Sequence, residues 1–283
     1  MLKPLPYTIN TGGRLMDLSE PQVMGILNVT PDSFYEGSRK QTDEEIRERA
    51  DEIIAEGASI IDIGAQSTRP GARDIGADEE MARLERALSI IRKDHPDTVI
   101  SVDTFRSSVA RRCVEQYGVG IVNDISGGDI DPEMFPTVAE LGVPYILMHI
   151  KGQPDTMQEA PHYDNITQEV MLYFSERIAR LRLLGVKDII LDPGFGFGKT
   201  LEHNYCLMRH LPDLRAFDLP VLVGISRKSM IFRLLGGSPT EALNGTTALN
   251  TIALTLGANI LRVHDVRACL EAVKITKACF PSD

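Results

Sequence analysis

Residues 60–103 read IIDIGAQSTRPGARDIGADEEMARLERALSIIRKDHPDTVISVD, and this stretch decides the fold. Ile60-Ile-Asp-Ile-Gly64 and Val99-Ile-Ser-Val-Asp103 are short, β-branched runs, while Met81, Leu84, Leu88 and Ile91 recur at helical spacing over Ala77 to Lys93 between them. Strand, amphipathic helix and strand in that order form one βαβ unit, whose strands must lie parallel. The same alternation extends in both directions, through Val23–Asn28 on one side and Ile121–Asp124, Tyr145–His149, Ile189–Asp192, Val221–Ile225 and Ile260–His264 on the other. The carboxyl-end residues of these eight runs recur about every 34 residues, the length of one βαβ step. Eight units in 283 residues predict a (β/α)8 TIM barrel spanning 1–283 as one domain. A doubly wound open sheet accounts for less, because no G-x-G-x-x-G follows the first strand and the unit count is eight. Tyr7 to Leu15, turning at Asn10-Thr11-Gly12-Gly13, reads as a short N-terminal hairpin placed to plug the amino-terminal end of the barrel. Helices are expected over Thr42 to Gly57 and Thr240 to Leu256 as well.

Composition bounds the function. With 43% hydrophobic residues and 25% charged, the chain can bury enough surface to offset its conformational entropy. A net charge of −10 argues against nucleic acid and anionic membrane surfaces as partners, both of which require accumulated positive charge. No apolar run reaches the length of a membrane span, and Met1-Leu-Lys-Pro-Leu-Pro6 lacks the apolar stretch of a signal peptide, so a cytoplasmic location is expected. Four cysteines without ligand spacing read as buried, reduced thiols.

In a parallel barrel the strands should be apolar, and the residues at and beyond their carboxyl ends build the active site. Here those positions are polar at every strand: Asn28, Asp62, Asp103, Asn123, Asp124, His149, Asp192, Ser226, Arg227, Lys228, Arg262, His264 and Asp265. Asp103, Asn123 and Asp192 suit a heterocycle that displays adjacent N–H donors and an acceptor, as a 2-amino-4-oxo ring does. Arg262 and His264, two apart on one strand face, can join Arg69 in holding a polyanion, with an Arg262–Asp265 ion pair as the alternative. Lys228 and Ser229 sit where a strand gives way to a helix and suit an anion, or act as a helix cap alone. Asp192-Pro-Gly-Phe-Gly-Phe-Gly-Lys199-Thr200 lacks the first glycine of a P-loop and reads instead as a backbone cradle for a flat ligand, walled by Phe195 or Phe197.

Taken together, Gly25-Ile-Leu-Asn-Val-Thr-Pro-Asp-Ser-Phe34, Asp62-Ile-Gly-Ala-Gln-Ser-Thr-Arg-Pro-Gly71, Ser101-Val-Asp-Thr104, Asn123-Asp124, Met148-His149, the Asp192–Lys199 segment, Ser226-Arg-Lys-Ser229 and Arg262-Val-His-Asp-Val266 resemble the dihydropteroate synthases. The resemblance spans nearly the whole chain and implies a homodimer that joins 6-hydroxymethyl-7,8-dihydropterin diphosphate to 4-aminobenzoate, releases pyrophosphate by an SN1-like displacement, uses Mg2+ and is blocked by sulfonamides. Carried over by position, it implies that Asp103, Asn123, Met148, Asp192, Lys228 and Arg262 bind the pterin. It places the diphosphate on Asn28, Arg69, Arg262 and His264, the metal on Asn28, and 4-aminobenzoate against Thr68, Pro70, Phe197, Lys228 and Ser229. Lys228, Arg262, His264 and Asn28 would then carry the chemistry. The first loop departs from the family's common Asp-Ser-Phe-Ser-Asp-Gly-Gly: here Tyr35 and Glu36 stand for its second serine and its second aspartate. Methyltetrahydrofolate-dependent methyltransferases share the barrel but hold no diphosphate, so the two basic motifs favour the synthase over them and over a non-catalytic pterin-binding module.

Overall fold

The computed structural model describes residues 6–30, 43–67, 73–152, 157 and 161–280. Its first elements are β1 (Thr8–Asn10) and β2 (Leu15–Asp17), an antiparallel hairpin. Then follow β3 (Gln22–Asn28), α1 (Asp43–Ala55), β4 (Ile60–Gly64), α2 (Gly76–Asp94), β5 (Val99–Asp103), α3 (Ser107–Tyr117), β6 (Ile121–Asp124) and α4 (Met134–Leu141). The chain continues through β7 (Tyr145–Met148), α5 (Ile166–Leu183), β8 (Ile189–Asp192), α6 (Leu201–Arg209), β9 (Leu222–Val223), α7 (Ser229–Leu235), α8 (Leu243–Thr255), β10 (Ile260–Val263) and α9 (Val266–Cys279). Strands β3 to β10 pair in parallel with their chain neighbours, β10 returns to β3, and a Leu191–Val221 bridge joins β8 to β9, so the sheet closes as the (β/α)8 expectation requires.

Alternation along each strand divides the core into two shells. Outward residues such as Leu27, Ile63, Val102, Leu147, Leu191 and Val263 pack under the helices. Inward residues at the amino-terminal end form a separate layer of Met24, Ile60, Ile121, Ile146, Ile190, Leu222 and Ile260, all fully buried. Ile9 and Leu18 press into this layer from the hairpin side, so the hairpin does plug the barrel floor.

The expected strands hold to within a residue or so except the seventh. Val221–Ile225 shortens to Leu222–Val223: Val221 keeps only an isolated bridge to Leu191, and its N–H donates to Asn259 Oδ1 at 3.0 Å. The single helix expected over Thr240 to Leu256 divides into a 3₁₀ turn at Pro239–Glu241 and α8. The cysteines also differ from expectation: Cys113 and Cys269 are buried, and burial pushes both thiols up to about 12, whereas Cys206 is half-buried and Cys279 exposed.

Candidate active site

Two residues beyond the apolar layer, on the same inward face, the strands turn polar. A cleft of about 300 Å³ opens there at the carboxyl ends, lined by Asn28, Asp103, Asn123, Met148, Asp192, Phe197, Ser226, Lys228, Arg262 and His264. Ile26, Ile125, Gly224, Thr30, Gln66 and Ser67 complete its wall. Every described residue given a site role from sequence therefore lines one cavity except Ser229, which begins α7 beside Lys228, half-buried and just outside the lining. Thr68, Arg69, Pro70, Tyr35 and Glu36 lie outside the described residues.

The polar floor is an ion-pair network spanning four strands. Arg262 donates from Nε to Asp62 Oδ2 at 2.6 Å and from Nη2 to Asp103 Oδ2 at 2.8 Å. Asn123 Nδ2 donates to the same Asp62 oxygen at 3.2 Å. Register explains the geometry: Gly64, Asp103 and Asn123 are paired side by side on β4, β5 and β6, so Asp62 lies one inward position below them. Gly64 has no side chain where a Cβ would stand 3.3 Å from Asp103 Cβ, which leaves Asp103 room. Burial raises the Asp103 carboxyl to about 7 even though Arg262 works in the other direction. Arg262, in spite of its burial, is held above the usual guanidinium range by Asp62 and Asp103. Its partner is thus not Asp265. That carboxylate takes a bidentate pair from Arg227, Nε at 2.9 Å and Nη2 at 2.6 Å, because Arg262 points inward while Asp265 opens α9 outside the barrel.

Lys228 closes the opposite wall. Its Nζ donates to Phe195 O at 2.5 Å and lies 4.5 Å from the Phe197 ring centre. Its side chain caps no helix N–H, so capping does not explain it. Burial brings the ammonium down to about 8, with Asp192 holding it up. Arg227, between Ser226 and Lys228, adopts a left-handed backbone (φ 56°), a conformation that costs a non-glycine residue about 1–3 kcal/mol and is stored where a site requires it. Its pair with Asp265 and the Thr246 hydroxyl on its N–H at 3.1 Å hold that turn. Ser226 Oγ accepts the His264 N–H at 3.1 Å and lies 3.0 Å from His264 Nδ1. The Ser226 hydroxyl, which has one proton and two lone pairs, thus hydrogen-bonds both the backbone and the ring of His264. The protein packed against this ring, followed by Arg262, lowers its pKa below the ordinary histidine value, although the residue's outer edge is exposed.

The glycine-rich segment departs from any phosphate loop. Gly194, Gly196 and Gly198 all have positive φ (67°, 81° and 58°), and a Cβ on Gly194 would fall 1.9 Å from His149 O. Lys199 turns inward beneath this coil, where its buried Nζ donates to Gly194 O (2.8 Å) and Phe197 O (2.9 Å) and meets His149 Nδ1 at 2.9 Å. Burial lowers its pKa well below the ordinary lysine value, and it is a structural amine that does not line the cleft. The wall residue is Phe197; Phe195 is fully buried. Asp124 is likewise structural, accepting from the Tyr145 hydroxyl at 2.7 Å and from Ser126 and Gly128 on the outward side of β6.

These residues, in this order around one barrel mouth, have counterparts. A family model described as pterin binding enzyme matches residues 24–264. The chain belongs to the dihydropteroate synthases of that family. It is 46% identical over 268 residues to the dihydropteroate synthase of Escherichia coli strain K12, covering 94% of each chain. A Yersinia pestis dihydropteroate synthase solved with a sulfonamide drug superposes with a TM-score of 0.90 at 40% identity, over 98% of this chain and 100% of that one. A Xanthomonas albilineans dihydropteroate synthase solved with 4-aminobenzoic acid gives 0.90 at 37% identity, over 99% and 100%. Dihydropteroate synthases are transferases of folate synthesis, and this chain is one of them by descent and by fold. No described helix is long and apolar enough to cross a membrane.

Sequence reasoning overlooked Ile26 and Ile125, whose apolar side chains read as ordinary strand core, and left Asp62 without a role. Only inward position, which pairing register supplies, singles them out.

Proposed function

We propose that this chain, as one barrel domain over 1–283, condenses 6-hydroxymethyl-7,8-dihydropterin diphosphate with 4-aminobenzoate in the cytoplasm. The observation that carries this reading is the gathering of Asp103, Asn123, Asp192, Lys228, Arg262 and His264 on the wall of one cleft. Asp103, Asn123 and Asp192 take the donor-rich edge of the pterin, Met148 packs against its ring, and Arg262 and Lys228 lie over and beside it. Arg262, the His264 ring, Asn28 and Arg69 hold the diphosphate. Thr68, Pro70, Phe197, Lys228 and Ser229 receive 4-aminobenzoate, which is why sulfonamides of similar shape compete for the same place.

In the reaction the exocyclic C–O bond breaks and its electron pair leaves with pyrophosphate. The electron-rich dihydropterin shares the positive charge left on the methylene carbon, the amine of 4-aminobenzoate forms the new C–N bond, and the surplus ammonium proton passes to solvent. No protein nucleophile is required. Arg262 and His264 favour the step by meeting negative charge as it grows on the leaving oxygens, and Phe197 shields the cation from water.

Mg2+ suits this donor set in one manner. No cluster of three His, Cys, Asp or Glu placed to hold a metal occurs among the described residues, and Asn28 offers a carboxamide oxygen at the mouth. A hard ion that keeps several waters and needs few protein ligands fits there when it arrives on a diphosphate. Bound so, it adds positive charge to the leaving group.

A homodimer is part of the proposal. Leu234 and Leu235 on α7, Leu243 and Ile252 on α8 and Ile275 on α9 are all exposed on neighbouring helices, an arrangement that favours pairing with a second copy. Light scattering should give twice the chain mass, and Ile252→Glu should shift it toward the monomer.

The test of function is chromatographic: purified protein with the pterin diphosphate, 4-aminobenzoate and Mg2+ should produce dihydropteroate. Tight pterin binding with no product would favour the methyltransferase or a binding module instead.

A further inference from the structure

We propose that Asp62 is a positioning residue for Arg262: it retains one edge of the guanidinium while the other edge yields Asp103 to the incoming pterin. The inference rests on the pterin-binding reading above and deepens it. Asp62 is fully buried on β4 and does not line the cleft. Its Oδ2 accepts from Arg262 Nε at 2.6 Å and from Asn123 at 3.2 Å, so one buried carboxylate touches two of the residues assigned to the pterin. Its Oδ1 has no hydrogen-bond partner among the described residues, an orphaned acceptor in a place where such atoms are normally satisfied.

The guanidinium is therefore forked between two carboxylates with different access. Asp103, 2.8 Å from Nη2, lines the cleft; Asp62 lies beneath it. A pterin can reach the first and not the second. To bind Asp103 through its N–H donors, the ring must displace Arg262 Nη2, exchanging one charge-assisted contact for another with no covalent step. Asp62 makes that exchange possible, because a guanidinium stripped of both carboxylates would be left buried without compensation. With Nε still held, the plane keeps its setting, and Nη2, once Asp103 has turned to the pterin, is left free to donate to the diphosphate. Were Asp62 neutral, Asp103 would be the sole carboxylate in contact with Arg262, and the pterin would compete with the whole cation for it. Asp62 thus sets pterin affinity without touching the pterin.

The test is calorimetric titration of the full chain with 6-hydroxymethyl-7,8-dihydropterin, which lacks the diphosphate and so reports the ring site alone. Four proteins are compared: unmodified, Asp62→Asn, Arg262→Ala and the double variant. Asp62→Asn should bind roughly tenfold more weakly than the unmodified protein, whereas adding it to Arg262→Ala should change affinity by less than about twofold, the signature of coupled residues. No loss in Asp62→Asn, or the same loss in both backgrounds, overturns the proposal, since Asp62 then acts without Arg262. Failure of the unmodified protein to bind the pterin overturns the functional reading, and this proposal with it. Should Asp62→Asn not fold, the Arg262 Nε–H resonance of the unmodified protein, assigned by its loss in Arg262→Lys, decides the matter. The proposal expects it to stay at its shifted, exchange-protected position when pterin saturates the site; collapse to the position of a solvated arginine contradicts it.

Discussion

The two inward layers of the barrel stand on the same strands, two residues apart, and have opposite chemistry. Ile60 and Asp62 are neighbours on one face of β4; Ile121 and Asn123, Ile190 and Asp192, and Ile260 and Arg262 repeat the step on β6, β8 and β10. The lower layer is dry and close-packed, and its contribution is burial, about 1.5–3 kcal/mol for each large aliphatic side chain. The upper layer gathers Asp62, Asp103, Asp192, Arg262 and Lys228, charges whose desolvation works against folding unless each is met by a partner. One layer holds the barrel together, and the other uses that rigidity to keep costly groups aimed at a ligand. The difference teaches that stability and activity should be separable by position on a single strand.

Arg262→Ala should separate them most severely from above, lowering kcat by roughly 10³-fold, since it removes the group proposed to meet leaving-group charge. Turnover at saturation would show this directly, and an unchanged kcat would remove Arg262 from the chemical step. Ile146→Ala does the reverse from below. It should cost about 2–5 kcal/mol of stability in denaturant unfolding, with kcat within about twofold at a temperature where the variant is folded.

Acid and base limbs sharpen the upper layer. In the proposed site Asp103, raised by burial to about 7, must be ionised to accept pterin N–H groups, and Lys228, lowered by burial to about 8, must be protonated to donate beside the ring. The free-enzyme kcat/KM for the pterin diphosphate should accordingly fall about tenfold per pH unit well below the first value, and fall again above the second. Asp103→Asn should abolish the acid limb; a limb that survives belongs to another group. The smallest effect concerns the glycine coil. Lys199→Met removes the internal donors to Gly194 O and Phe197 O and should raise the KM for 4-aminobenzoate several-fold to about tenfold, leaving that for the pterin diphosphate nearly unchanged. Equal changes in both constants would mean general loosening of the barrel mouth.

How legible all this was depended on the range of the interaction. Strands such as Ile60–Gly64 and Val99–Asp103 were read without error because alternation and β-branching are local. The inward-facing set Asp103, Asn123, Asp192 and Arg262 was legible because polar residues inside parallel strands contradict their surroundings. Which cation meets which carboxylate was not, since Arg262 and Asp62 are separated by 200 positions and joined only through barrel closure. Asp265, three positions from Arg262, stood as an alternative partner because nothing local shows that β10 ends at Val263 and places Asp265 at the start of α9. The rejection of a phosphate loop at Gly198-Lys199-Thr200 was legible, but the place of Lys199 was not: three left-handed glycines coil the backbone around its Nζ.

The central claim is that the upper layer ionises a pterin diphosphate before an amine attacks it. Pyrophosphate release under single-turnover conditions, followed across 4-aminobenzoate concentrations with Mg2+ present, tests it most directly. The account predicts one dihydropteroate per pyrophosphate and a release rate that levels off as 4-aminobenzoate rises, because C–O cleavage sets the limit. Bound pterin diphosphate that releases no pyrophosphate, or a rate that climbs in proportion to 4-aminobenzoate without limit, would contradict it.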